Sequence, residues 1–127
     1  MIFRHRNIIV RQLPAALDAR GRRVFSSLLV ECINVKRPML VLDCSALADL
    51  DASAIHFLLC CLEETMKRNG DIRLAALAPH AKARFEMAGA DRIFEIYDTI
   101  ADAVDSYRIP RIIVEPVAIT ESAVQAA

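Results

Sequence analysis

A cluster of acidic residues and one serine is the part of the sequence best suited to chemistry. Asp43, Asp49 and Asp51 follow one another closely, and Ser53 comes two residues after the last of them. Carboxylates gathered at the end of a strand could bind Mg²⁺ or receive a phosphate. The same acids could instead form a turn and cap a helix. We expect the turn and capping roles, with a small metal-dependent enzyme as the alternative.

Ser53 lies where the sequence predicts the start of a helix. The apolar run at residues 39–42 ends at Asp43, and a second apolar run with a helical period follows Asp51. This order indicates a buried strand, a turn and a helix N-terminus. The first N–H groups of a helix lack backbone partners and its dipole is positive there, so a serine at this point can carry an added phosphate.

Other residues that could do chemistry are scattered along the chain. The three glycines form no phosphate-binding loop, and the three histidines are far apart in sequence. His56 precedes Cys60 and Cys61, but the cysteines show no CxxC spacing and lie in apolar segments. We predict buried, free thiols, no catalytic residue, no metal site and no cofactor.

The elements that must position Ser53 alternate between strand and helix. Strands are predicted at residues 7–13, 39–42, 72–77 and 93–97. Helices are predicted to begin near Asp18, Ser53 and Pro79, and a last one at Asp98 or Thr99. Such alternation indicates an α/β fold: one domain at residues 1–107, with a four- or five-stranded mixed, largely parallel sheet packed with about four helices.

The segment at residues 108–127 differs from the rest. We predict a tail that is partly extended or disordered, because residues 120–127 carry few large side chains. The apolar run at residues 112–114 could pair with the sheet edge of a second copy and form a homodimer.

Composition narrows the classes of partner. Lys plus Arg and Asp plus Glu both number 16, so the formal net charge is zero and no nucleic-acid partner is indicated. Arg20, Arg22 and Arg23 form a local cluster, for which we expect a solvated helix face, with an anionic partner as the alternative.

No apolar run reaches the roughly 18 residues that span a bilayer, and no signal peptide is recognisable. We expect a cytoplasmic protein without membrane insertion.

Several motifs occur in an order that a known family shares. Residues 42–54 read LDCSALADLDASA, residues 67–70 read KRNG before a strand, and residues 78–89 read APHAKARFEMAG. Together with Leu17-Asp18 and residues 92–103, they resemble the STAS domains, and more narrowly the bacterial anti-sigma factor antagonists. The resemblance covers roughly residues 7–107. Ser53 matches the serine of the family's DSSG motif, while Ala52 and Ala54 replace its first serine and its glycine.

The resemblance implies a regulatory protein of transcription that is not an enzyme. It implies capture of an anti-sigma factor that is itself a serine kinase, and release once that kinase phosphorylates Ser53. The implied partner-binding residues are Asp18, Asp49, Asp51, Ala52, Ser53, Ala54 and His56. The alternative is a STAS subunit that is not phosphorylated and docks on a transporter ATPase or a larger signalling assembly.

Overall fold

One parallel sheet organises the described part of the molecule. The computed structural model describes residues 8–48 and 50–108. Its strands are β1 (Ile8–Gln12), β2 (Met39–Asp43), β3 (Asp71–Ala75) and β4 (Glu95–Tyr97). The four strands lie in chain order, and each is parallel to its neighbour. All four carboxyl ends therefore meet at the same edge of the sheet.

The helices begin where the sequence offers a capping group or a proline. They are α1 (Ala19–Cys32), α2 (Ala52–Met66), α3 (Pro79–Met87) and α4 (Ile100–Arg108). The carboxylate of Asp18 accepts the Gly21 N–H at 2.8 Å, so it caps the first turn of α1. Pro79 opens α3, where its missing N–H removes no helical hydrogen bond. The predicted caps and starts of these helices are confirmed.

The larger core lies between one face of the sheet and helices α1, α2 and α3. Leu40, Leu42 and Leu74 point from the strands into this layer, and Phe25 and Phe85 meet them from the helices. All five side chains are at most 1% exposed. Because each such side chain stabilises the fold by about 1.5–3 kcal/mol when buried, this layer holds the three helices against the sheet.

Helix α4 covers the opposite face of the sheet. The Arg73 guanidinium lies beneath it, only 4% exposed, with its Nε 3.4 Å from Asp71 Oδ2 and its Nη1 3.8 Å from Glu95 Oε1. The same guanidinium lies 4.1 Å from the centre of the Tyr107 ring. Tyr107 donates a hydrogen bond to the Leu40 carbonyl at 2.9 Å. The buried charge is therefore paired, and these contacts fasten α4 to the sheet.

The predicted α/β class and alternation are confirmed, with shifts at element ends. β3 ends at Ala75, and β4 begins only at Glu95 because residues 90–92 form a 3₁₀ turn. The predicted tail strand at 112–114 and its dimer contact lie outside the described residues. The predicted end of the domain at residue 107 stays a prediction, although α4 continues to Arg108.

Candidate functional site

The loop before α2 is held from both sides at the carboxyl edge of the sheet. The Ala48 N–H donates to the Ala15 carbonyl at 2.8 Å, which joins this loop to the loop before α1. From the other side, His80 Nε2 on α3 lies 2.8 Å from the Ala48 carbonyl oxygen. Arg84 Nη1 donates to the Leu50 carbonyl at 3.4 Å. These contacts hold the loop that leads into α2 against the loop before α1 and against α3.

The described acids of this loop form local hydrogen bonds. Asp43 Oδ1 accepts the Ser45 N–H at 3.0 Å, and Asp51 Oδ1 accepts the Ala54 N–H at 2.8 Å. The predicted turn and capping roles of these two acids are confirmed. Asp49 lies outside the described residues. Within residues 8–48 and 50–107, no three or more His, Cys, Asp or Glu side chains are grouped so as to hold a metal ion.

Ser53 is exposed at the second position of α2. Its hydroxyl oxygen accepts a hydrogen bond from Arg22 Nη1 at 3.2 Å. The same Nη1 donates to the Leu17 carbonyl at 3.0 Å, and Arg22 is itself half-buried. The hydroxyl is therefore accessible to a partner, and a guanidinium group from the neighbouring helix lies against it.

Arg22 is the site residue that sequence reasoning did not single out. The solvated helix face expected for the arginine cluster holds for Arg20 and Arg23, which are exposed. It fails for Arg22, because this side chain turns toward the N-terminus of α2. The available signal was its position four residues after the Asp18 cap, which places it in the first turn of α1.

Most residues that the family resemblance implied for partner binding are exposed at this end of the molecule. They are Asp18, Asp51, Ala52, Ser53 and His56. Ala54, the other described residue of that set, is 2% exposed and belongs to the core. Its side chain is therefore not available to a partner. We call the five exposed residues the Ser53 surface.

Four free cysteines are present, and their burial differs. Cys32, Cys44 and Cys61 are buried, whereas Cys60 is exposed. The prediction of buried thiols was therefore wrong for Cys60, which shares the polar face of α2 with His56; the Cys60 sulfur lies 3.6 Å from His56 Nε2. Burial raises the pKa of the Cys44 and Cys61 thiols to about 12, so both stay protonated near neutral pH.

Two concavities on the described surface lie away from Ser53. One of about 390 Å³ lies beside β4, between Lys82 and Tyr97. Another of about 420 Å³ lies between α2 and Ile93. The five residues of the Ser53 surface are the two cap residues Asp18 and Asp51 and three exposed residues of the first two turns of α2. Among the described helices, none has the length and apolar character required to cross a bilayer.

Solved structures with this fold include antagonists and a transporter domain. An anti-sigma factor antagonist from Mycobacterium paratuberculosis superimposes with a TM-score of 0.71 at 22% identity, over 86% of this chain and 92% of that one. The STAS domain of a SulP transporter from Vibrio cholerae gives 0.70 at 13% identity, over 84% of each chain. An anti-sigma-factor antagonist (STAS) domain protein from Planctomyces limnophilus gives 0.67 at 16% identity, over 77% and 88%. At these identities the likeness shows the fold.

Sequence comparison identifies the family directly. No curated protein matches the chain. The family model described as the STAS domain matches residues 2–103, which is most of the 127-residue chain. The match includes every strand of the sheet and the whole segment from Asp43 to Ser53. The chain therefore belongs to the STAS domain family.

Proposed function

We propose that the protein is a cytoplasmic anti-sigma factor antagonist, a regulatory binding module without enzymatic activity of its own. The observation that carries this proposal is the exposed hydroxyl of Ser53 at the second position of α2. The partner is an anti-sigma factor with serine kinase activity, which binds the Ser53 surface while the hydroxyl is unmodified. Capture of that partner frees the sigma factor it would otherwise hold, and so changes transcription.

Phosphorylation of Ser53 ends the capture. The partner transfers the γ-phosphoryl group of ATP to the Ser53 oxygen: the new O–P bond forms, the bond to ADP breaks, and the hydroxyl proton is released. The phosphate carries about −1.5 to −2 charges at pH 7. A partner surface that fits a neutral hydroxyl beside the Asp18 and Asp51 carboxylates then meets further negative charge. A coupling of about 1–3 kcal/mol, or roughly 5–150-fold in affinity, is enough for a switch.

The fold tolerates this modification where it occurs. Ser53 is exposed, so the phosphate displaces no core side chain. It is added at a helix N-terminus, where the dipole favours negative charge. The switch therefore acts on the surface presented to the partner and leaves the domain folded.

The alternative function is docking without phosphorylation, on a transporter ATPase or a larger signalling assembly. The observation that favours it is the Vibrio cholerae transporter domain, whose TM-score of 0.70 is close to the 0.71 of the antagonist from Mycobacterium paratuberculosis. The two functions predict different partners and a different response to charge at Ser53.

The experiment is a pull-down from lysate of the source organism with four baits: wild type, Ser53→Ala, Ser53→Asp and Ser26→Asp. Ser26→Asp is the matched control, because Ser26 is exposed on α1 and the acid adds the same charge. We expect wild type, Ser53→Ala and Ser26→Asp to retain an ATPase of the histidine-kinase-like type, and Ser53→Asp to lose it. With MgATP, the purified partner should phosphorylate wild type and spare Ser53→Ala.

Two outcomes would contradict the main proposal. If Ser53→Asp retains the kinase as tightly as Ser53→Ala does, charge at this position is not the switch. If all four baits retain a transporter ATPase instead, the alternative function replaces the antagonist.

A further inference from the structure

We propose that Arg22 is the internal counter-ion of phosphorylated Ser53. In the modified protein its guanidinium pairs with the phosphate and holds it against the first turn of α2. This inference rests on the proposed modification of Ser53. Arg22 lies on α1, whereas Ser53 lies on α2. The contact between the two side chains is already present in the unmodified structure.

The unmodified contact places Arg22 where a phosphate would need it. Arg22 Nη1 lies 3.2 Å from the Ser53 hydroxyl oxygen, the atom that would carry the phosphorus. The Leu17 carbonyl accepts from the same nitrogen at 3.0 Å, so the half-buried guanidinium is anchored to its own helix start. Little reorganisation is therefore required for the guanidinium to meet a phosphate oxygen.

The guanidinium has donors available for this pairing. Arginine carries five N–H groups in a planar fork, which suits two oxygens of one phosphate. In the described ranges, Arg22 forms no ion pair with a carboxylate, so its charge is not neutralised there by another residue. A phosphate on Ser53 would place its negative charge beside this guanidinium, which already contacts the Ser53 oxygen at 3.2 Å.

Helix α2 supplies further hydrogen-bond donors for a phosphate on Ser53. The N–H groups of Ala52 and Ser53 belong to the first turn, which has no intrahelical acceptor for them, whereas the Ala54 N–H is already taken by Asp51. A phosphate on Ser53 can therefore accept from α2 and pair with Arg22 on α1. It would join the two helix N-termini and lie along the protein surface.

Charged side chains of both signs lie at the starts of α1 and α2. The Asp18 and Asp51 carboxylates at the caps of α1 and α2 disfavour the phosphate dianion, and His56 on α2 and His80 on α3 are the nearby titratable rings. Arg22 favours the dianion, because an opposite charge within hydrogen-bonding distance stabilises the ionised form. Removal of Arg22 leaves the two carboxylates without that compensation.

The test follows phosphate ionisation by ³¹P NMR in full-length protein made with phosphoserine at position 53 by genetic encoding. Free phosphoserine has a second pKa near 6. We expect this pKa to rise by about half a unit or more in Arg22→Gln relative to the wild-type sequence. Arg22→Lys should give a smaller rise, because a single ammonium retains the charge but not the planar fork. Arg23→Gln is the matched control, and it should match wild type because Arg23 is an exposed neighbour on α1.

Equal phosphate pKa values in the wild-type sequence, Arg22→Gln and Arg23→Gln would overturn the inference. An amide ¹H–¹⁵N spectrum of each variant verifies the fold, and Arg22→Lys supplies the comparison if Arg22→Gln does not fold. The measurement needs neither the kinase nor the partner. A failure of the Arg22 pairing is therefore distinguishable from a failure of the proposed antagonist function, which the pull-down decides.

Discussion

The Asp51 carboxylate accepts the Ala54 N–H at 2.8 Å, and this hydrogen bond fixes where α2 begins. It places Ser53 at the second position of the helix, exposed, and turns Ala54 into the core at 2% exposure. A start shifted by one residue would rotate the serine by about 100° around the helix axis. The cap thus decides which side chain of the motif reaches the surface.

We expect Asp51→Ala to lower the free energy of unfolding by about 1 kcal/mol, because the Ala54 N–H loses its acceptor. Asp51→Asn keeps an acceptor oxygen at the same place and should lose much less. Urea denaturation at pH 7 measures both variants. Equal losses would mean that the carboxylate charge, and not the cap, stabilises α2.

Local patterns in the sequence were sufficient to predict both caps. Asp51 immediately precedes an apolar run with a helical period, and Asp18 precedes one that begins at Val24. The hydrogen bonds that start α1 and α2 each join residues only three positions apart. The strand-helix alternation is equally local, and it predicted an α/β fold with a largely parallel sheet. These predictions therefore required only rules that apply within short segments of sequence.

The Arg22–Ser53 contact has no such local signal. The two residues are 31 positions apart, and their helices become neighbours only because β1 and β2 pair. Ala54 shows the same limit, since a motif names residues without giving their helix face. Cys60 is different: it lies four residues after His56, and this spacing places both side chains on one face of α2.

Gly21 lets α1 approach the loop that precedes it. A Cβ added to Gly21 would overlap the carbonyl oxygen of Ala16 and approach its carbonyl carbon to 3.1 Å. We expect Gly21→Ala to cost about 1–3 kcal/mol in unfolding free energy, because the start of α1 must move away from that loop. Urea denaturation measures the loss.

The matched control for that variant is Gly89→Ala. A Cβ on Gly89 meets nothing within 4 Å, but its φ of +75° is a conformation that alanine adopts at a cost of about 1 kcal/mol. The Gly21 variant should therefore be the less stable of the two. The opposite order would show that the approach to Ala16 relaxes without cost.

Thiol labelling should separate Cys60 from the other cysteines. In native protein at pH 8, we expect iodoacetamide to modify one thiol rapidly, because Cys60 is exposed and Cys32, Cys44 and Cys61 are buried. Intact-mass spectrometry counts the added groups over time. Cys60→Ser should remove the rapid step, while urea-unfolded wild type should react at all four cysteines. Rapid labelling of two or more thiols in the native state would contradict the burial of at least one of Cys32, Cys44 and Cys61.

The buried thiol of Cys44 should make the fold sensitive to alkali. Desolvation is the main cause that raises the pKa of this thiol from 9.0 to about 12. A hydrogen bond with the backbone of Ala75 lowers this pKa, and the negative charge of Asp43 raises it further. Above pH 9 the unfolded chain therefore loses this proton while the folded protein keeps it. Stability from this group is present in full below pH 9 and falls between pH 9 and 12, by at most about 1.4 kcal/mol per pH unit.

Cys44→Ala isolates that effect, since alanine cannot ionise and its smaller side chain costs the same at every pH. Urea denaturation from pH 7 to 10.5, under reducing conditions, should show wild type losing stability more steeply than Cys44→Ala above pH 9. Below pH 8 the two curves should be parallel, because the thiol is protonated in both the folded and the unfolded state. If the curves stay parallel up to pH 10.5, the Cys44 thiol ionises as readily in the fold as in the unfolded chain, and the core around the end of β2 admits water.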